Sequence, residues 1–237
     1  MENIEYCVLP AGKYSEAANL AAKALIDSPA YRDIFSPIKD AHTRVSILEY
    51  IFSCNIHMVG RQNPSFLKCG IDKKTQELVA FFILIPSNLS SFTLFEKIFG
   101  GLLYVPILAG WQVMSRMLQA SDWIDENEAN ILKKLKEKLL LESNEDIPKT
   151  IYKLQRMVVR PDMQGKGIGS RLLRQGILEL HAPVFLSTQE ERNVNFYKKL
   201  NFEVVNEVRF SLSGEEEDNF SSWSMFRPVM MAESLSD

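Results

Sequence analysis

Apolar positions recur along the chain with two different periods, and the switching between them predicts a fold of mixed helices and strands. Ile4 to Leu9 reads as a short strand. Tyr14 to Ile26 predicts a helix whose Ala17, Ala18, Ala21, Ala22 and Leu25 share one face, ended by Ser28-Pro29. A second helix is expected over Ala41 to Val59, with Val45, Leu48, Phe52 and Ile56 as a core-facing stripe. Ser65 to Cys69 and Leu78 to Ile85 are rich in β-forming residues, and the polar segment Asp72-Lys73-Lys74-Thr75-Gln76 joins them into an antiparallel hairpin with a longer loop, closed by Pro86. Ile151 to Val159 predicts a strand, and Gly167 to Leu180 a helix that turns Leu172, Leu173, Ile177 and Leu180 inward. Val184 to Ser187 is a further strand, Asn193 to Leu200 a short helix and Glu203 to Leu212 a long strand. An acidic turn over Gly214 to Asn219 leads to a last strand around Trp223 to Phe226. Strands flanking helices in this order indicate an α+β or α/β sheet.

Between the hairpin and the later strands, Ser87 to Lys149 is too long for an empty loop. Its second part, Ser121 to Leu141, is strongly helical, with Ile124, Ile131, Leu132 and Leu135 among Glu and Lys residues spaced for exposed ion pairs. It is expected to be a helical insertion packed on the sheet. Its first part, Ile98 to Ser115, carries no charge and is about long enough for a ~30 Å bilayer core. Gly100, Gly101, Pro106, Gly110, Gln112 and Ser115 interrupt it, so it reads as core or as an element covering a substrate.

The 237 residues are 46% hydrophobic and 24% charged, which fits a soluble globular chain and, in the simpler reading, one domain over residues 1–237. A net charge of -3 gives no overall attraction toward nucleic acid or an anionic membrane, so neither is expected as a partner. Cys7, Cys54 and Cys69 form no paired metal-binding spacing, no metal is expected, and a reducing cytoplasm fits them. The acidic start Met1-Glu2-Asn3-Ile4-Glu5 lacks the pattern of a secretion signal. A monomer or homodimer is expected.

The candidate chemistry lies in Val159-Arg160-Pro161-Asp162-Met163-Gln164-Gly165-Lys166-Gly167-Ile168-Gly169-Ser170, where three glycines alternate between a strand and the start of a helix. Glycine lets the backbone approach a ligand closely, and the first turn of a helix offers unpaired N–H groups with partial positive charge. That combination suits a phosphate or pyrophosphate, although a glycine-rich turn also serves simply to join a strand to a helix. A Rossmann loop requires a glycine where Ser170 stands, and no Walker A stretch exists.

The run Leu154-x-x-Met157-x-Val159-x-Pro161-x-x-Gln164-Gly165-Lys166-Gly167-Ile168-Gly169-Ser170-x-Leu172-Leu173 resembles the signature of GNAT acyltransferases, whose Q/R-x-x-G-x-G/A loop holds the CoA pyrophosphate. Phe185-Leu186-Ser187-Thr188 followed by Asn193-Val194-Asn195-Phe196-Tyr197-Lys198-Lys199-Leu200-Asn201-Phe202 looks like that family's fifth strand and its N-x-x-F-Y-x-x-x-G-F helix. Asn201 stands where glycine is usual, and Asn tolerates left-handed angles better than most residues. Near the front, Ser28-Pro29-x-Tyr31-x-x-x-Phe35 is similar to puromycin-N-acetyltransferase-like members.

The resemblance implies an α+β fold, an α/β/α sandwich around a mixed, mostly antiparallel sheet splayed between its fourth and fifth strands. The helical insertion, about residues 87–149, would precede the fourth strand, and a CoA-binding core would span about residues 151–205. By the same resemblance, Met157, Val158, Val159, Gln164, Gly165, Lys166, Gly167, Ile168, Gly169, Ser170 and Asn193 would bind the cosubstrate acetyl-CoA. A backbone N–H near Met157 to Val159 would polarise the thioester carbonyl. Asn193 and Tyr197 stand at i, i+4 on one helix face; Tyr197 would protonate the leaving thiolate, or would simply pack beside Phe196 in the core.

No single base for the amine stands out among Glu142, Glu145, Asp146, Glu190, Glu191, His57 and His181, and water could relay the proton. No Cys/His or Ser/His/Asp set favours a covalent intermediate, so direct attack in a ternary complex is expected. Lys166 either steers a phosphate or is a surface lysine. A small-molecule amine acceptor is favoured over a protein amine, and a CoA-binding regulatory protein without turnover remains the other reading. Phe92, Phe95, Phe99, Tyr104, Trp111 and Trp123 hint at a hydrophobic acceptor or at core.

Overall fold

The computed structural model describes residues 3–89, 101–142, 150–211 and 220–229. In chain order the elements are β1 (Ile4–Val8), α1 (Tyr14–Leu25), α2 (Pro29–Ile34), α3 (Ala41–Gln62), β2 (Leu67–Asp72), β3 (Leu78–Pro86) and α4 (Val105–Glu142). They continue with β4 (Tyr152–Val159), α5 (Ile168–Leu180), β5 (Val184–Thr188), α6 (Glu191–Lys198), β6 (Glu203–Phe210) and β7 (Phe220–Arg227). The expected Gly214 to Asn219 turn, apart from its neighbours in β7, lies outside the described residues, as do Phe92, Phe95, Phe99, Glu145 and Asp146.

The strands form one seven-stranded sheet in the order β1-β2-β3-β4-β5-β7-β6. All pairs are antiparallel except β4 with β5. That parallel pair holds only at Tyr152↔Val184 and Lys153↔Phe185, after which the two strands part. The sheet is therefore splayed where expected, and the β5-facing edge of β4 beyond Lys153 has no strand partner among the described residues.

β3 is buried along its whole length and supplies both faces of the sheet. Phe81, Ile83 and Ile85 pack with Leu48, Phe52 and Ile56 of α3 and the alanines of α1, while Phe82 and Leu84 pack with Leu172, Leu173 and Ile177 of α5. Gly176 permits that second contact, because a Cβ there would stand 2.7 Å from the Phe82 ring. The two clusters place α1 to α3 on one face and α5 with α6 on the other. α4 joins the first face: Val113 and Ala120 enter its core, and Leu135 meets Ile151 and Phe185.

The chain departs from the expected elements in two places. Ser28-Pro29 not only ends the first helix but starts another short one, because proline at the first helical position needs no N–H partner and has its φ already set. α4 begins at Val105, well before Ser121, and breaks at Gly110 (φ 81°, ψ 163°). The part of the uncharged stretch described here is thus helical, but it is only partly core. Val105 and Val113 are fully buried, whereas Ile107 and Trp111 are 79% and 78% exposed. No helix among the described residues is long and apolar enough to cross a membrane.

Candidate functional site

Two cavities open on either side of the point where β4 and β5 separate. The first, about 510 Å³, lies under the glycine loop and the N-terminus of α5. Met157, Val158, Val159, Gln164, Gly165, Gly167, Ile168, Gly169, Ser170 and Asn193 all line it, as does Tyr197. Lys166 does not; its ammonium turns back toward Met163 Sδ at 3.4 Å. The structure thus gathers the residues named from the sequence around one cavity, with that lysine on the outside.

The loop owes its shape to its glycines and to three polar ties. Gly165 and Gly167 hold φ of 74° and 72°, where side chains with a Cβ are strained. A Cβ on Gly167 would meet no protein atom within 4 Å, so the loop is bare on that side because of its backbone angle and not because of crowding. Gly169 differs: its missing Cβ would stand 3.1 Å from Val159 Cγ2 and 3.2 Å from Met157 Cε, so here glycine sets helix against strand. Gln164 Nε2 donates to Val159 O at 3.0 Å, and Arg160 bonds both Asp162 and Glu77 at 2.7 Å, anchoring the loop to β4 and the hairpin. Gly167 is the N-cap of α5 and offers no side chain to its first-turn N–H groups, which stay directed at the loop's open side.

α6 positions the other wall. It is followed by Asn201 with φ of 64°, the left-handed angle that glycine adopts most readily and asparagine tolerates. Phe202 N donates back to Tyr197 O at 3.1 Å, closing the helix end. Tyr197 is 8% exposed, edge-on to Phe196 and Phe202 at centroid distances of 5.1 and 5.6 Å. The aromatic packing foreseen as its alternative role is therefore present, yet the residue also borders both cavities. Burial pushes its phenol well above the ordinary tyrosine range, so it stays protonated near neutral pH.

The second cavity, about 400 Å³, is lined by α1, α2, α3, α4, β4, β5, α6 and β7. Two contacts hold its roof: Arg116 of α4 pairs with Asp33 of α2 at 2.6 Å, and Ala30 N donates to Gln189 Oε1 at 3.1 Å. On its inner wall Glu128 of α4, 5% exposed, accepts from Ser187 Oγ at 2.9 Å and pairs with Lys153 of β4. Trp123 lines this cavity and stacks on Phe210, with ring centroids 4.1 Å apart. Tyr104, 60% exposed, and Trp111 take no part in it.

Met157, Asn193, Tyr197 and Glu190 border both cavities. Of the base candidates whose side chains are described, Glu190 is thus the one placed at the junction, paired there with Arg192. Glu191 and His181 are exposed and line neither cavity; His57 is exposed on α3, its Nδ1 2.8 Å from Ser53 O. No side chain is described for Glu142. Among the described residues no group of three or more His, Cys, Asp or Glu could hold a metal ion.

Sequence reasoning did not single out Glu128, Lys153 or Arg156. The first two come together from segments distant in sequence, and each looks like a surface charge on its own. Arg156 owes its place to a β-bulge. Phe81 and Ile83 of β3 pair with Val158 and Gln155 of β4, so β4 carries one extra residue here, with Arg156 at φ 52°. The bulge inverts the alternation: Tyr152 and Leu154 face α5 before it, Met157 and Val159 after it.

Residues 123–204 match the family model described as the acetyltransferase (GNAT) domain. A comparison with curated protein sequences returns no match. Among solved structures, one described as histone acetyltransferase HPA2 and related acetyltransferase from Corynebacterium glutamicum is similar at a TM-score of 0.59 and 14% identity, covering 98% of this chain and 99% of that one. Arylalkylamine N-acetyltransferase 2 from Aedes aegypti is similar at 0.57 and 10% identity, over 96% and 100% of the two chains. The polyamine N-acetyltransferase of Drosophila melanogaster is similar at 0.53 and 12% identity, over 95% and 99%. At such identities the likeness establishes the fold.

Proposed function

From the match of residues 123–204 to the GNAT acetyltransferase domain and the geometry of the site, we propose that the chain transfers an acetyl group from acetyl-CoA to an amine by direct attack in a ternary complex. The observation that carries the reading is the meeting of two cavities at Met157, Asn193 and Tyr197. One is suited to the cosubstrate. The other, at about 400 Å³, is in the range of small-molecule sites and favours a small amine over a protein segment.

In this account the CoA pyrophosphate lies against the bare N–H groups of Gly167 to Ser170, where the α5 dipole favours negative charge. The pantetheine arm runs along the unpaired edge of β4 and brings the thioester to Met157, where a backbone N–H polarises its carbonyl. The amine nitrogen attacks that carbon from the second cavity, forming the C–N bond. As the tetrahedral intermediate collapses, the C–S bond breaks and the sulfur takes the proton of Tyr197, which burial keeps neutral for this purpose. The surplus ammonium proton leaves toward Glu190 or water, and an equivalent proton returns through solvent to the Tyr197 phenolate.

Thiol release from acetyl-CoA in the presence of an amine panel tests the proposal. Amine-dependent release, reduced in Tyr197→Phe without loss of acetyl-CoA binding, supports it. A Tyr197→Phe enzyme as fast as the wild type would remove the phenol from the mechanism.

A further inference from the structure

Arg156 sits at the second cavity with its charge unmatched by any carboxylate among the described residues. Its guanidinium carbon lies 4.8 Å from the centre of the Phe52 ring, and Nη1 donates to Gln155 Oε1 at 3.1 Å. The Tyr31 hydroxyl is a further neutral partner. Nε is enclosed and has no hydrogen-bond partner. Among the described residues no Asp or Glu lies within ion-pair distance of it, although three carboxylates line the same cavity. Glu128 is committed to Lys153 and Ser187, Glu190 to Arg192, and Asp125 is 3.5 Å from Ser121 Oγ.

This setting is unusual for so expensive a group. An arginine stays protonated at any physiological pH, and a partly buried guanidinium held only by neutral groups is stable when something else supplies the anion. The backbone adds to the cost, because a residue with a Cβ takes φ of 52° at the bulge, a position where glycine is the usual choice. The bulge turns Arg156 away from the α5 core and onto the face of Phe52 and Tyr31, beside the place where β4 and β5 part. A planar guanidinium fork matches a carboxylate in particular, since both can form two parallel hydrogen bonds.

We infer that the acceptor is an amino-carboxylate, whose amine meets the thioester at Met157 and Tyr197 while its carboxylate is bound by Arg156. The inference rests on the acetyltransferase reading and names the substrate class of that site. The apolar parts of the wall, Leu25, Tyr31, Trp123 and Ile124, suit an amino acid with an aromatic or aliphatic side chain. Arg156 is then a specificity-determining residue that touches substrate and takes no part in the proton transfers.

The test compares matched acceptors that differ by the carboxylate: phenylalanine with phenethylamine, tyrosine with tyramine, tryptophan with tryptamine, leucine with isopentylamine. Acetyl-CoA binding is measured alongside by calorimetry, and acceptor binding is measured in the presence of CoA. The wild type should favour the carboxylated member of at least one pair by tenfold or more in kcat/KM, or in affinity where turnover is slow. Arg156→Gln should erase that preference, mainly through KM for the carboxylated member, with acetyl-CoA affinity held and a much smaller loss for the decarboxylated amine; Arg156→Lys should restore part of it. A melting temperature for each variant separates this loss from misfolding. If acetyl-CoA binds and no carboxylated amine is preferred, or the preference survives in Arg156→Gln, the inference is overturned while the acetyltransferase reading stands. If acetyl-CoA itself does not bind, that reading falls and this inference with it.

Discussion

The cavity under the glycine loop draws most of its lining from two short stretches, residues 157–170 and 190–199, whereas the second cavity collects side chains from eight helices and strands between Leu25 and Ser222. In the first, backbone shape does the work: positive φ at Gly165 and Gly167, a helix end without a capping side chain, a strand edge without a strand partner among the described residues. In the second, side-chain charge does it: a Glu128–Lys153 pair and an Arg156 with neutral partners. A site made of backbone suits a ligand common to many enzymes, and a site made of side chains can change its acceptor by single substitutions.

Tyr197, at the boundary, should show the largest effect. Tyr197→Phe is expected to lower kcat by about 10²- to 10⁴-fold, the usual worth of a positioned acid, with the acetyl-CoA Kd held within about threefold. Steady-state kinetics paired with calorimetry checks both halves; a parallel loss of affinity would place the phenol in cosubstrate binding instead.

Glu128→Ala should damage the second cavity alone. It leaves Lys153, 13% exposed, without its partner, and removing one member of a buried pair costs about 3–5 kcal/mol. Denaturant unfolding should record that loss, while acetyl-CoA still binds whatever protein remains folded. Glu128→Ala with unchanged stability would mean that the pair is solvated.

A smaller effect is expected from Gly167→Ala, which adds a Cβ at φ 72° and costs about 1–2 kcal/mol through backbone strain with no clash inside the protein. Gly169→Ala, by contrast, must push Val159 and Met157 aside, so its loss should be accompanied by altered packing of β4.

The weakest effect concerns pH. Burial raises the phenols of Tyr31 and Tyr197, so both stay neutral in the folded chain after the unfolded chain has begun to ionise near pH 10. A raised folded value means that the stability they contribute is whole below about pH 10 and is lost as pH rises beyond it. Melting temperatures taken between pH 9 and 11 should fall, and Tyr197→Phe should make that fall shallower.

The same contrast explains what could be read in advance. The glycine loop and the Asn193–Tyr197 face are contiguous in sequence and depend on backbone rules that residue type reveals directly. The α1, α3 and α5 helices and the central strands follow from their periodicity, and Asn201 adopts the left-handed angle its side chain tolerates. Arg156 escaped because alternation along β4 assumes an unbroken strand, and a bulge is set by pairing with β3, not by local composition. Glu128 escaped because it resembles the exposed charges around it on α4 and is distinguished only by Lys153 and Ser187, brought in by the fold. The exposure of Ile107 and Trp111 was hidden for a similar reason, since an uncharged run does not reveal which of its faces the fold will cover.

The most direct measurement is calorimetric titration of acetyl-CoA into the wild-type chain and into Gly167→Trp, whose indole would enter the cavity beside the α5 N-terminus. The account predicts micromolar binding by the wild type and at least a hundredfold loss in the variant, with the second cavity still able to bind an acceptor. A folded wild type that does not bind acetyl-CoA, or a Gly167→Trp chain that binds it equally well, would contradict it.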